Sequence, residues 1–236
     1  MRIAILTTDT THHRYFVWRL AQVFPIAAIF LETLRSTPKF PVLHPFETLR
    51  DAYESEVLLS SAPATFGAIA DSRETTTMND PGAISALEKL GIDVAIVFGT
   101  GKLKADILNL GIKHFLNLHG GNPEFYRGLD SHLWAIYHRD FGGLVTTLHH
   151  VAPQFDTGDI IMAKGFDVPR GTELHQLRGI NTDACVDLCA AALSVVDKLG
   201  HLPSRPQAAN GRYYSAMPAV LKEECVTNFN RFASRA

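Results

Sequence analysis

This sequence predicts an α/β fold built on a doubly wound, mostly parallel sheet, Rossmann-like in layout, with a short C-terminal extension. Three observations lead there. Apolar runs at residues 2–7, 26–31 and 94–98 have the length and uniform hydrophobicity of strands buried on both faces. A helical stripe (Phe16, Val17, Leu20, Val23, Phe24) fills the gap between the first two runs and stops before Pro25, giving strand, helix and strand with short turns. The runs also end in glycine or small polar residues, so the chain turns at one rim of the sheet, where open α/β sheets bind ligands.

Taken in order, the first strand gives way at residues 7–13 to a polar turn in which Asp9, Thr10 and Thr11 are candidate helix caps. Residues 33–80 carry Pro38, Pro41, Pro45 and Pro63 and show little periodicity; a helix is expected near 47–59, and 75–80 reads as a strand end or loop. Asn79 or Asp80 before Pro81 starts a helix with Ile84, Leu87 and Leu90 on its buried face, ended by Gly91. The strand at 94–98 stops at Gly99-Thr100-Gly101. After a helix at 105–110 comes a strand from His114, then a helix at 129–139 and strands at 144–151 and 160–163. Residues 172–199 carry a long helical pattern, and 201–236 read as an extension to the 1–200 domain that covers the core or pairs subunits.

The chain has 236 residues, 46% of them hydrophobic, enough for a sizeable core. A formal charge of −2 gives none of the basic field that nucleic-acid binding uses. Three cysteines make an odd, sparse set that suits a reducing, cytoplasmic setting without disulfides. No signal-peptide layout and no ~20-residue apolar run are read, so no membrane role is expected.

The chemistry concentrates in Asn117-Leu118-His119-Gly120-Gly121-Asn122-Pro123, running on to Tyr126-Arg127-Gly128. Asn117 and His119 are two apart and share a strand face, so an amide and an imidazole can meet one substrate atom. Phe155-Asp156-Thr157-Gly158-Asp159 supplies a carboxylate. Such a set offers a hydrogen-bond donor for developing negative charge and groups that can move a proton. Alone, each residue reads as readily as structural. The turn after the first strand lacks Gly-x-Gly-x-x-Gly; His12, His13 and Arg14 stand there, either facing a phosphate or forming a solvated helix start.

In this order, Asn-x-His, Tyr-Arg-Gly and Asp-Thr-Gly-Asp-Ile-Ile resemble the folate-dependent formyltransferases, with a Gly-x-Thr-x-His-like strand ahead of Asp156. The resemblance is clearest from Val94 to Ala163. It implies catalytic roles for Asn117, His119 and Asp156 and 10-formyltetrahydrofolate as formyl donor. It also implies a pterin site at Phe98, Gly99, Thr100, Gly101, Lys102 and Leu103, with Gln154. The acceptor is expected to be a small-molecule amine, best matched by a nucleotide-linked amino sugar, with His12, His13, Arg14, Tyr126 and Arg127 as its binding candidates and a homodimer as a possible assembly. Where the family has Pro-Ser-Leu-Leu-Pro, this chain has Gly120-Gly121-Asn122-Pro123-Glu124, and the added glycines are expected to loosen the loop. Other readings are a formyltransferase of glycinamide ribonucleotide or methionyl-tRNA type, a formyltetrahydrofolate hydrolase, and a metal-dependent hydrolase drawing on His119, His132, His138, His149, His150 and Asp156. No metal motif accompanies the last.

Overall fold

The computed structural model covers residues 1–35 and 37–235, and its apolar runs assemble into a seven-stranded sheet. The chain runs β1 (Ile3–Thr8), α1 (Thr11–Ala21), β2 (Ile26–Glu32), α2 (Pro45–Tyr53), β3 (Ser72–Thr75), α3 (Pro81–Leu90), β4 (Val94–Phe98), α4 (Ala105–Leu108), β5 (His114–His119) and β6 (Tyr126–Gly128). It continues through α5 (Ser131–Tyr137), β7 (Val145–His150), β8 (Ile160–Gly165), α6 (Leu177–Leu199), β9 (Arg212–Tyr214) and α7 (Ala219–Ala233). Strand order is β3-β2-β1-β4-β5-β7-β8. The first five pair in parallel, while β7 runs antiparallel to both β5 and β8. The order reverses between β1 and β4, so the carboxyl ends of β1, β4 and β5 frame the ligand crevice of the fold.

Both faces of the sheet are covered, so β1 and β4 are buried along their whole length. On one face, Phe16, Val17 and Leu20 of α1 pack with Cys185, Cys189 and Leu193 of α6. On the other, Ala83 and Leu87 of α3 and Ile107 of α4 meet Ala4, Leu6 and Val97. Helix α6 is long and apolar enough to cross a bilayer by length and composition alone, contrary to the sequence expectation. Here it is the core helix lying across α1, β7 and β8.

Two elements in the 33–80 stretch differ from expectation. Residues 72–75 form an edge strand, β3, although Ser72, Arg73, Glu74 and Thr75 are all polar; an edge pairs on one side only and tolerates them. The helix expected at 47–59 is α2 up to Tyr53 and then a wider π-turn over Glu54–Leu58. That turn carries Glu54, fully buried, onto the Arg178 guanidinium in a two-pronged ion pair of 2.5 and 2.6 Å.

The C-terminal segment folds back on its own chain. Arg205 bridges to Ile160, β9 pairs in parallel with β6, and α7 packs on α5 around Ile136, Met217, Cys225 and Phe229. The Gln207 amide donates to the carbonyls of Asp156 and Gly158, both at 2.9 Å.

Candidate active site

Strand β5 lies deep in the sheet, and its register sets the site. Asn117 sits beside Val97 of β4 and directly across from His149 of β7. The ladder between β7 and β8 slips between Leu148 and His149, the kind of irregularity that re-aims a side chain beside a functional site. Asp156 arrives on the loop after β7 in a left-handed conformation, φ 54°, which aspartate tolerates better than most residues. The loop can double back because Gly158 has no side chain: a Cβ there would fall 1.7 Å from the His150 carbonyl oxygen.

Asn117, His119 and Asp156 therefore meet. The Asp156 Oδ1 lies 3.3 Å from Asn117 Nδ2 and 3.5 Å from His119 Nδ1, while its Oδ2 accepts the Gly128 N–H at 2.8 Å. The partners of each imidazole assign its protons. His119 Nε2 lies 2.7 Å from the Tyr126 carbonyl, which can only accept, so that nitrogen carries a hydrogen and Nδ1 is left facing Asp156. His149 Nδ1 likewise donates to the His150 carbonyl at 2.7 Å, leaving Nε2 to accept from Asn117 Nδ2 at 3.0 Å. His149 thus fixes which way round the Asn117 amide sits. At 3.6 Å from Asp156 Oδ1 it is too far to hydrogen-bond there.

Sequence reading carried His149 as the histidine of the Gly-x-Thr-x-His-like strand and as a metal-ligand candidate; its positioning role comes from its place opposite Asn117 on the neighbouring strand. His149→Ala is expected to lower turnover by up to about 10²-fold, the cost of a loosened reacting group. His149→Gln, which keeps an acceptor, is expected to recover part of that loss. Initial rates and melting temperatures of the two variants check this; equal rates in both would remove the role.

Burial pushes the His119 pKa down, only partly offset by Asp156 and the Tyr126 carbonyl. For Asp156, burial acts upward, but His119 and the Gly128 N–H outweigh it and hold the carboxyl below its usual range. Burial also takes His13 down to about 3 and His132 to about 4. Both are neutral in the fold and protonate in the unfolded chain below about pH 6.5. The unfolded state then binds more protons, so stability falls as pH drops from 6.5 toward 4. A steadily declining Tm across that window is the expected result, and a flat profile would contradict it.

The exposed turn at 99–102 lies beside Asn117, at the end of β4. Gly99 adopts φ 77°, and a Cβ there would fall 2.4 Å from the His13 ring. The Phe98 ring packs against His13 with centroids 4.3 Å apart, and Leu103 is buried beneath. Buried Glu32, at the end of β2, accepts from the Gly101 N–H at 2.6 Å and the Met78 N–H at 2.9 Å. It pins this turn from a strand that sequence reading did not connect to it. Thr100 and Lys102 stand on the turn, and Gln154 is exposed on the Asp156 loop.

The remaining candidates are placed as follows. His13 is buried, bonded through Nδ1 to Thr8; His12 packs against it at 4.0 Å and is also held neutral, chiefly by burial. Arg14 Nε is buried with no hydrogen-bond partner among the described residues. Tyr126 donates its hydroxyl to Asp140, and Arg127 Nε donates to the Gly211 carbonyl at 2.7 Å. The Gly120-Gly121 loop is tighter than expected, not looser. A Cβ at Gly120 would lie 3.1 Å from His132, and one at Gly121 would lie 2.8 Å from the Ser131 Cβ, while the Gly121 carbonyl accepts from Thr147. These glycines let the loop pack onto α5. Among the described residues, no three His, Cys, Asp or Glu side chains are grouped to hold a metal ion.

No curated protein matches the sequence. Among solved structures, a 4-N formyltransferase from Francisella tularensis aligns at 13% identity over 91% of this chain and 76% of its own, with a TM-score of 0.59. PseJ from Anoxybacillus kamchatkensis, solved with UDP-4,6-dideoxy-4-formamido-L-AltNAc and tetrahydrofolate, aligns at 16% identity over 91% of this chain and 86% of its own, TM-score 0.55. A sugar N-formyltransferase from a Shewanella species aligns at 11% identity over 97% and 87%, TM-score 0.61. These likenesses establish the fold. Residues 47–182, more than half the chain and the stretch that holds Asn117, His119 and Asp156, match the formyl transferase family, and the chain belongs to that family.

Proposed function

We propose that this chain moves a formyl group from 10-formyltetrahydrofolate to the amine of a nucleotide-linked amino sugar. The observation that carries the reading is the Asn117–His119–Asp156 cluster beside the exposed turn at 99–102. Phe98 to Leu103 and Gln154 are the residues that would hold the pterin. The carbon–nitrogen bond to the amine forms as the formyl oxygen takes up negative charge. The Asn117 amide has two hydrogens: His149 holds one at 3.0 Å, and the other makes a longer, weaker bond to Asp156 at 3.3 Å. Because the Asp156 bond is the weaker one, that second hydrogen is the one the oxyanion can take, with the amide still held by His149.

The amine proton goes to His119 Nδ1, where Asp156 stabilises the imidazolium. It passes from there to N10 of the folate as the old carbon–nitrogen bond breaks, and tetrahydrofolate leaves. All three cysteines are free and buried, which supports a reducing, cytoplasmic setting.

Support for the sugar acceptor comes from structural neighbours that are sugar N-formyltransferases. The test is tetrahydrofolate release from 10-formyltetrahydrofolate with a panel of UDP- and dTDP-linked amino sugars, glycinamide ribonucleotide and methionyl-tRNA. Release that depends on a nucleotide-linked amino sugar supports the proposal. Equal release with no amine present would make the protein a hydrolase instead.

A further inference from the structure

Two large aromatic side chains stand half-exposed at the mouth of the site. Phe155, 42% exposed, immediately precedes Asp156; Tyr213, 51% exposed, comes from β9 in the C-terminal segment. Their ring centroids are 6.4 Å apart and the planes are tilted by 35°, so they form a shelf and not a closed slot. Tyr213 leans on Gly128, where an added Cβ would come within 3.1 Å of its ring. Gly128 is the residue whose N–H holds Asp156. The shelf is therefore tied at both ends to the catalytic carboxylate.

A cation accompanies it. Arg127 and Tyr213 are register partners across the β6–β9 pair, and partners project from the same face. The Arg127 guanidinium donates from Nε to the Gly211 carbonyl and has no ion pair with a carboxylate among the described residues. Flat, half-open rings beside an uncompensated guanidinium complement a planar base carrying phosphate.

We propose that Tyr213 and Phe155 form the stacking surface for the base of a nucleoside diphosphate, with Arg127 meeting its phosphates. This rests on the acceptor class proposed above and gives the C-terminal segment a share in recognising the nucleotide, through Tyr213, which lies outside the matched 47–182 region.

Calorimetric binding of UDP, uridine and ribose 5-phosphate to the full chain tests it. Wild type is expected to bind UDP and uridine more tightly than ribose 5-phosphate. Tyr213→Ala is expected to weaken both by about tenfold, the loss of one base–aromatic stack, while Tyr213→Phe binds like wild type. Arg127→Gln is expected to weaken UDP but not uridine. Phe155→Leu gives a second reading of the shelf if Tyr213→Ala fails to fold. Ribose 5-phosphate binding as tightly as UDP, or Tyr213→Ala binding UDP like wild type, would overturn the proposal. UDP binding without any formyl transfer would refute the reaction and leave the shelf standing.

Discussion

Asp156→Asn is expected to lower formyl transfer by about 10²–10⁴-fold, the range for losing a group that governs proton transfer, while Tm stays within a few degrees of wild type. Asparagine is the informative replacement because residue 156 sits at φ 54°, and asparagine adopts that conformation readily. Its side-chain oxygen can still accept the Gly128 N–H, so the loop keeps its anchor. What disappears is the negative charge 3.5 Å from His119 Nδ1. Alanine would add backbone strain to the chemical loss and blur the reading. Steady-state kinetics beside a thermal melt separate the two effects, and wild-type turnover in the asparagine variant would remove Asp156 from the mechanism.

The second large effect is structural. Gly158→Ala is expected to destabilise the chain by about 3 kcal/mol, the upper part of the range for forcing extra volume into a packed site. The new methyl would fall 1.7 Å from the His150 carbonyl oxygen and 2.6 Å from its carbon, both backbone atoms. They cannot swing away without moving β7, which carries His149. Turnover is therefore expected to fall together with stability, measured by urea unfolding and initial rates on one preparation. Unchanged unfolding would mean that the Asp156 loop is not held as tightly as its packing indicates.

Strands buried on both faces, such as β1 and β4, were legible because a core is what tolerates four or five apolar residues in a row. Edge strand β3 was not, since half its surroundings are solvent and its residues are polar. The Asn117, His119 and Asp156 set could be read because two members share a strand and the third sits in a recognisable run. His149 was in the motif, but its hold on the Asn117 amide depends on register between strands far apart in sequence, which spacing does not report. Glu32 escaped for a similar reason: its partners Met78 and Gly101 lie 46 and 69 residues away, and an acid closing an apolar run reads as a strand terminus. The paired glycines at 120 and 121 were misread because composition reports conformational freedom and not what crowds against the backbone.

Gln207 and the β6–β9 pairing have one more consequence. Two carbonyls of the carboxylate-bearing loop are gripped by Gln207, and the residue whose N–H steadies that carboxylate is zipped to β9. A single proteolytic nick between residues 200 and 215 would cut no reacting group. It would nonetheless be expected to silence the enzyme, because the C-terminal segment acts as the splint that keeps the Asp156 carboxylate in place.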